Sequence, residues 1–193
     1  MHTELGEFPE KWVISTLEEV AKLSAGGDKP EICYDKKSKE YPYPIYSNGL
    51  DQNGLYGYTN KYKINEESVT VSARGTIGFV CLRHGPYVPI VQLVTIVPKK
   101  DKINAKYLYL YLKRLHITGT GTTQQQLTVP DFKKTKIIVP PFKIIKQFTD
   151  IIKLFYENLW DNEIEIEKLT KLRNTLLPKL MSGDIDVSGI NFD

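Results

Sequence analysis

The sequence predicts an α+β (mixed α/β) globular domain followed by a long C-terminal coiled-coil helix. Two observations support this fold class. Up to about residue 140 the chain consists of short β-branched runs bounded by Gly, Pro or charged residues, which is the pattern of strands and turns. From Lys143 to Met181 it contains no Gly and only one Pro, and apolar residues recur in steps of three and four. The composition of the 193 residues, 41% hydrophobic and 25% charged, is typical of a folded protein, and no apolar run of about 18 residues indicates a membrane span.

The first 140 residues are predicted to contain three main strands joined by turns. The strands are predicted where β-branched and other apolar residues cluster, at residues 69–73, 78–82 and 91–97. Turns are predicted where a polar residue precedes Gly, at residues 47–49, 53–54 and 74–75.

Two short helices are predicted in the same part of the chain. Thr16 and Glu19 have the spacing of a capping box and lead into Val20 and Leu23. Asn104 is a candidate N-cap for a second helix. The apolar side of that helix comprises Tyr107, Leu108, Tyr111, Leu112 and Leu115.

Residues 141–183 are predicted to form one coiled-coil helix whose apolar seam extends over about five heptads. At ~1.5 Å per residue this helix is roughly 50–60 Å long, and it needs a partner to bury its seam. Gly183 is expected to end it, and residues 184–193 form a partly apolar tail. The predicted dimerisation residues are apolar except for one amide: Ile145, Phe148, Ile152, Phe155, Leu159, Asn162, Ile166, Leu169, Leu176 and Leu180. The same register also places Arg173 on this seam.

The positive charge of the chain is concentrated in its middle. Residues 52–140 carry 13 Lys and Arg against four acidic residues, a net charge of +9, whereas the whole chain carries +3. Eleven of the twelve Tyr precede residue 141, and seven of them lie among these Lys and Arg residues. Clustered Lys and Arg residues favour binding to a polyanion such as DNA. A solvated lysine-rich surface is the alternative explanation.

No catalytic, metal or cofactor site is predicted. The two Cys and three His are isolated along the sequence, without the spacing of metal ligands. Residues 74–78 follow a predicted strand but lack the Lys and hydroxyl of a P-loop. Residues 139–142 are similar to a base-binding motif of amino-methyltransferases, but Val139 occupies the position where a polar side chain must accept a hydrogen bond.

Several loops carry side chains suited to DNA contact. Asn48 offers an amide that can bind adenine, and Arg74 offers a guanidinium, next to Gly75, that can bind guanine or phosphate. The alternatives are a simple turn at Asn48, a solvated linker at residues 122–126, and for Arg74 a salt bridge that shapes its loop. The predicted DNA-binding residues comprise base-reading candidates and backbone contacts: Ser47, Asn48, Arg74, Gly75, Thr76, Gln124, Gln125, Gln126, Tyr58, Lys61, Lys63 and Lys133.

The order of motifs resembles the specificity subunit of type I restriction-modification systems. The residues that carry this resemblance extend almost from end to end. They are 12–20, 43–49, 69–78, 126–132, 137–141 and the helix end at 169–183.

The resemblance implies a target recognition domain at residues 1–140 that binds one half of a bipartite double-stranded DNA target. It implies that the helix pairs antiparallel with another and docks methyltransferase subunits, which bind S-adenosylmethionine, and through them a restriction subunit. The chain itself is then expected to be non-catalytic, to hold no cofactor and to be cytoplasmic, with no membrane partner.

The chain departs from the resembled family in length. Such subunits carry two recognition domains and two helices, and this chain has one of each. Either it is a half-subunit that forms a homodimer, or it is a fragment; Met1 and the intact helix end favour a complete chain. A homodimer is expected to place Asn162 near its two-fold axis and to bind a gapped palindrome. A decoy that occupies the methyltransferase and a coiled-coil scaffold that binds DNA non-specifically are the alternative functions.

Overall fold

The computed structural model describes residues 2–3, 6–119 and 126–185. The chain divides into two compact units, Met1–Lys146 and Gln147–Asp193, and each is described by itself. The elements, in chain order, are β1 (His2–Thr3), β2 (Gly6–Glu7), β3 (Val13–Thr16), α1 (Leu17–Val20), β4 (Ala21–Ala25), β5 (Tyr43–Tyr46), a 3-10 turn (Asp51–Gly54), β6 (Leu55–Thr59), β7 (Ser68–Ser72), β8 (Val80–Arg83), β9 (Val88–Pro89), β10 (Leu93–Pro98), α2 (Ala105–Arg114), α3 (Val129–Lys133), β11 (Lys136–Val139) and α4 (Phe142–Met181).

The centre of the first unit is a four-stranded antiparallel sheet in the order β4-β10-β7-β8. The register of these strands brings Ala25 of β4, Leu93 of β10 and Ser72 of β7 to the same end of the sheet. We call this the loop end, because the chain leaves each of the three strands there or enters it there. It is the end that carries the candidate site.

The main core lies between one face of this sheet and α2. Val71 of β7 and Ile96 of β10 are completely buried, as are Leu108 and Leu112 of α2. Each buried side chain of this size contributes about 1.5–3 kcal/mol. The helix and the central strands therefore form one rigid support for the loops.

The same core contains Ile145 from the first turn of α4, which is only 1% exposed. The assignment of Ile145 to the dimerisation seam is therefore wrong, because its side chain is already buried within its own unit. Periodicity shows which side of a helix is apolar, but it does not show which surface covers that side.

A second, three-stranded sheet has the order β6-β5-β9, with β5 antiparallel to β6 and parallel to β9. It has a small core of its own, formed by Ile45, Val88 and Ile90. Elsewhere β3 and β11 form an antiparallel pair.

The predicted strands are present, with corrections at two of their starts. β7 lies where the sequence predicts a strand. β8 begins at Val80, later than predicted, because Gly78 has a φ of +82° and still belongs to the preceding loop. β10 begins at Leu93 for a similar reason, since Gln92 has a φ of +69°.

The two short helices are present, but the first is only one turn long. Its Glu19 carboxylate accepts a hydrogen bond from the Thr16 N–H at 2.7 Å, as the capping box predicts. Leu23, expected on that helix, lies instead on β4. The second helix is confirmed, and the Asn104 side chain accepts from the Tyr107 N–H at 2.8 Å.

The helix α4 is continuous over 40 residues. Gly183 follows its end with a φ of +78°, as the sequence predicts. Many apolar side chains of the second unit are exposed, including Phe155 at 65%, Ile166 at 63% and Leu169 at 56%. Within the residues that the structure describes, no helix combines the length and the apolar character needed to cross a membrane.

Candidate nucleic-acid interface

Three loops of different origin meet at the loop end of the central sheet. The Ala73 N–H donates to the Gln92 carbonyl at 2.8 Å, and the Ala73 carbonyl accepts from the Leu127 N–H at 2.8 Å. The backbone that precedes Arg74 is therefore held on both sides. These bonds bring Gln126 next to the segment 74–78.

Asn48 connects a further loop to the same place. Its Nδ2 donates to the Arg74 carbonyl at 2.9 Å, and its own carbonyl accepts from the Thr76 hydroxyl at 2.6 Å. Gly75 has a φ of +71°, and a Cβ at this position would lie 3.4 Å from Asn48 Nδ2. The structure thus brings together Ser47, Asn48 and residues 74–76, as the sequence hypothesis requires.

The strand β7 supports these loops with a buried row of hydroxyl groups on one face. Ser68, Thr70 and Ser72 are each at most 1% exposed. The Ser68 hydroxyl bonds the Tyr87 hydroxyl at 2.8 Å, and the Ser72 hydroxyl donates to the Asn48 carbonyl at 3.4 Å. Burial raises the pKa of Tyr87, so its phenol stays protonated at neutral pH.

Arg83 is a buried residue of the site that sequence reasoning missed. It is 5% exposed, its Nε donates to the Thr70 hydroxyl at 2.9 Å, and its Nη2 donates to the Asn53 carbonyl at 2.7 Å. Its guanidinium lies 3.7 Å from the centre of the Tyr46 ring. The sequence offered one signal, because Arg83 ends an apolar run. A charged residue in a strand is seldom buried without a specific partner, so a partner could have been expected.

Two lysines lie in loops next to the second sheet. The exposed Lys63 has its ammonium above Gly27, whose N–H donates to the Pro89 carbonyl at 3.2 Å. Lys29, which the sequence hypothesis did not include, donates to the Tyr56 hydroxyl at 3.3 Å, and this bond raises the pKa of Lys29. The strand pairing of residue 27 with Ile90 places these lysines next to the segment that leads to Gln92.

The exposed side chains of Arg74 and Lys63 carry positive charge, which favours contact with an anionic polymer. The chain also has the family relationship that the order of its motifs suggests. The model of the type I restriction modification DNA specificity domain matches residues 9–173. The chain belongs to this family. Members of this family are specificity domains, which agrees with the expectation that the chain is not itself an enzyme.

Relatives of this specificity domain include two proteins of Mycoplasma pneumoniae named as type I specificity subunits. One is 35% identical over 168 residues, which cover 82% of this chain and 46% of that protein. The other is 36% identical over 159 residues, covering 79% and 47%. The chain thus spans about half the length of the curated relatives it matches.

The fold of the specificity domain agrees with a solved structure. The crystal structure of a type I restriction-modification system S subunit from M. genitalium matches with a TM-score of 0.69 at 22% identity. The match covers 90% of this chain and 46% of that chain. It shows the same mixed α and β fold with a long helix.

Other predicted contact residues of the specificity domain are dispersed. Tyr58 is half-buried on β6, and Lys61 is exposed in the loop that follows this strand. Lys133 lies in the last turn of α3. From Leu127 at the loop end the chain runs through this helix to Thr135, whose carbonyl accepts a hydrogen bond from the Leu17 N–H. The hydrogen bonds do not bring Lys133 to the loop end. Gln124 and Gln125 lie outside the described residues.

The described part of the specificity domain holds no group of three or more His, Cys, Asp or Glu residues that could bind a metal ion. Cys33 and Cys81 are free thiols. Burial raises the pKa of Cys81, so its thiol is a poor nucleophile at neutral pH.

Proposed function

We propose that this specificity domain recognises one half of a bipartite double-stranded DNA target and that Arg74 makes the principal base contact. The observation that carries the proposal is the convergence of separate loops on the backbone around the exposed Arg74. A guanidinium on a backbone that is held in this way suits the paired acceptors of guanine in the major groove. In this proposal Ser47, Thr76 and Gln126, which lie among or beside the bonded residues of these loops, share the same groove.

The remaining predicted residues supply contacts to the DNA backbone in this proposal. Lys61 and Lys63 carry positive charge on exposed side chains, and Tyr58 lies on the adjacent strand. Contacts of this kind fix the position of a protein on the duplex without reading its sequence. Lys133 is assigned to the same DNA-backbone contacts, whereas Gln124 and Gln125 are assigned with Gln126 to the reading of base edges.

We further propose that two copies of the chain pair through α4 as an antiparallel coiled coil. Supporting this, Phe155, Ile166 and Leu169 on the predicted seam are each more than half exposed in the single chain. An antiparallel pairing with Ile145 removed from the seam still places Asn162 near the two-fold axis, where a single amide can fix the register.

A two-fold dimer constrains the DNA target. Its two identical domains bind identical half-sites in inverted orientation, so the target is a gapped palindrome. In the same proposal the paired helices dock methyltransferase subunits that bind S-adenosylmethionine, and the complex also includes a restriction subunit. The cytoplasm is the proposed location.

The test is selection from a randomised DNA duplex library by the purified chain, followed by methylome sequencing of cells that express it with a methyltransferase subunit. A gapped palindromic consensus in both experiments is the expected result. Binding without sequence preference that falls steeply with salt would instead identify a non-specific scaffold. Binding to the methyltransferase that suppresses adenine methylation would identify a decoy.

A further inference from the structure

We propose that Asn48 is a positioning residue that fixes the orientation of Arg74 and does not itself bind a base. This inference rests on the proposed DNA recognition. It assigns distinct roles to two residues that the sequence hypothesis treated alike.

The first reason is that the side-chain nitrogen and the backbone carbonyl of Asn48 already have partners within the protein. Its Nδ2 donates to the Arg74 carbonyl, and its backbone carbonyl accepts from Thr76 and from Ser72. Specific binding to adenine needs the amide nitrogen and the amide oxygen together on one base edge. Here the amide nitrogen is already bonded to the Arg74 carbonyl, and it lies 3.4 Å from the position that a Cβ of Gly75 would occupy.

The second reason is what these bonds do to the segment that carries Arg74. The Asn48 amide holds the Arg74 carbonyl, while Gln92 and Leu127 hold the two sides of Ala73. The loop closes on itself through the Gly78 N–H, which donates to the Ser72 carbonyl at 3.0 Å. Because the backbone is fixed on both sides, the Cα of Arg74 has a single position before DNA binds. This lowers the entropy cost of a bidentate contact.

The third reason is that the loop of Asn48 is itself anchored. The Ser47 N–H donates to the Gly54 carbonyl at 2.8 Å, and the Asn53 carbonyl accepts from the buried Arg83. Asn53 and Gly54 both have positive φ angles, +56° and +82°. This left-handed turn persists because its neighbours hold it, as is common next to functional groups. Asn48 therefore transmits the position of the rigid sheet to Arg74.

A double-mutant cycle tests the inference. The variants Asn48→Ala, Arg74→Ala and the double variant are compared with the unmodified chain. Each is titrated with the duplex selected from the randomised library and with a scrambled duplex of equal length at one salt concentration. The readout is the ratio of the two affinities, because a misfolded fraction lowers both affinities equally and leaves the ratio unchanged.

Asn48→Ala is expected to lower this ratio about three- to tenfold, the effect of losing one ordinary hydrogen bond. In the Arg74→Ala background the same change is expected to have no further effect, since there is then no guanidinium to position. Losses that multiply in the double variant would show that Asn48 binds DNA on its own. An unchanged ratio in Asn48→Ala would equally overturn the inference.

Three further variants separate positioning from general stability. Thr76→Ser keeps the hydroxyl that binds the Asn48 carbonyl and is expected to keep the ratio, whereas Thr76→Val is expected to lower it. Asn60→Ala, which changes an exposed Asn in the loop after β6, is the matched control and should leave the ratio unchanged. If the unmodified chain selects no sequence, the proposed function fails and the inference with it; multiplying losses would refute only the inference.

Discussion

Replacing Arg83 by Met should destabilise the first unit more than any exposed charge substitution. The change removes two hydrogen bonds, to the Thr70 hydroxyl and to the Asn53 carbonyl, and leaves the buried Thr70 hydroxyl without this donor. Met keeps part of the packing against Tyr46, so the lost bonds dominate.

The magnitude follows from those two bonds. A hydrogen bond from a charged donor contributes about 1.5–3 kcal/mol, and removal of the buried charge returns part of that sum. We therefore expect the free energy of unfolding to fall by about 2–3 kcal/mol. In a domain of this size the corresponding decrease in Tm is roughly 6–10 °C.

The assay is urea unfolding followed by Trp12 fluorescence in a Trp160→Phe background, so that the signal reports the first unit alone. Arg114→Met is the matched control, because it replaces an exposed Arg in the last turn of α2. The control should lose less than about 1 kcal/mol. Equal losses in the two variants would refute the role assigned to Arg83.

Three other perturbations test the site, the helix seam and the buried phenol. Arg74→Ala should weaken binding to the selected duplex by about 1–3 kcal/mol in fluorescence anisotropy; an equal loss on scrambled DNA would assign Arg74 to a phosphate. Leu169→Lys should convert the proposed dimer to a monomer in light scattering, whereas Ile164→Lys, about 140° around the helix, should leave the mass unchanged. Burial raises the pKa of Tyr87 in the folded protein above its ordinary 10.0. The stability that the protonated phenol contributes is therefore complete below pH 10 and is lost as pH rises through the pKa of the folded state. Tyr87→Phe should flatten this alkaline loss in urea titrations.

The elements that sequence reasoning located well are those that local patterns determine. The helix α4 follows from heptad spacing and the absence of Gly, and α2 follows from Asn104 as a cap. Leu23 was misplaced because a one-turn helix leads directly into a strand. Ile145 was misplaced because its burial depends on residues far away in the sequence.

The candidate site could be predicted only in part, for a related reason. Arg74 and Asn48 stand out in the sequence as polar residues beside Gly, but they are 26 positions apart. The hydrogen bond between them depends on the register of the central strands and on the turn that Arg83 holds. Sequence patterns report which residues can bind a base. They do not report which of those residues are already bonded within the protein.

The strand β7 shows how that information can be recovered. Its sequence alternates hydroxyl and Val residues, and such an alternation ordinarily predicts one face on the core and one face on water. All five residues are buried, so the hydroxyl face must have another layer of protein above it. Buried hydroxyl groups need hydrogen-bond partners, and here Tyr87, Arg83 and Asn48 supply them. Three hydroxyls on one strand thus connect the second sheet and the recognition loops to the core. The rigid core therefore holds the groups that are proposed to bind DNA in fixed positions.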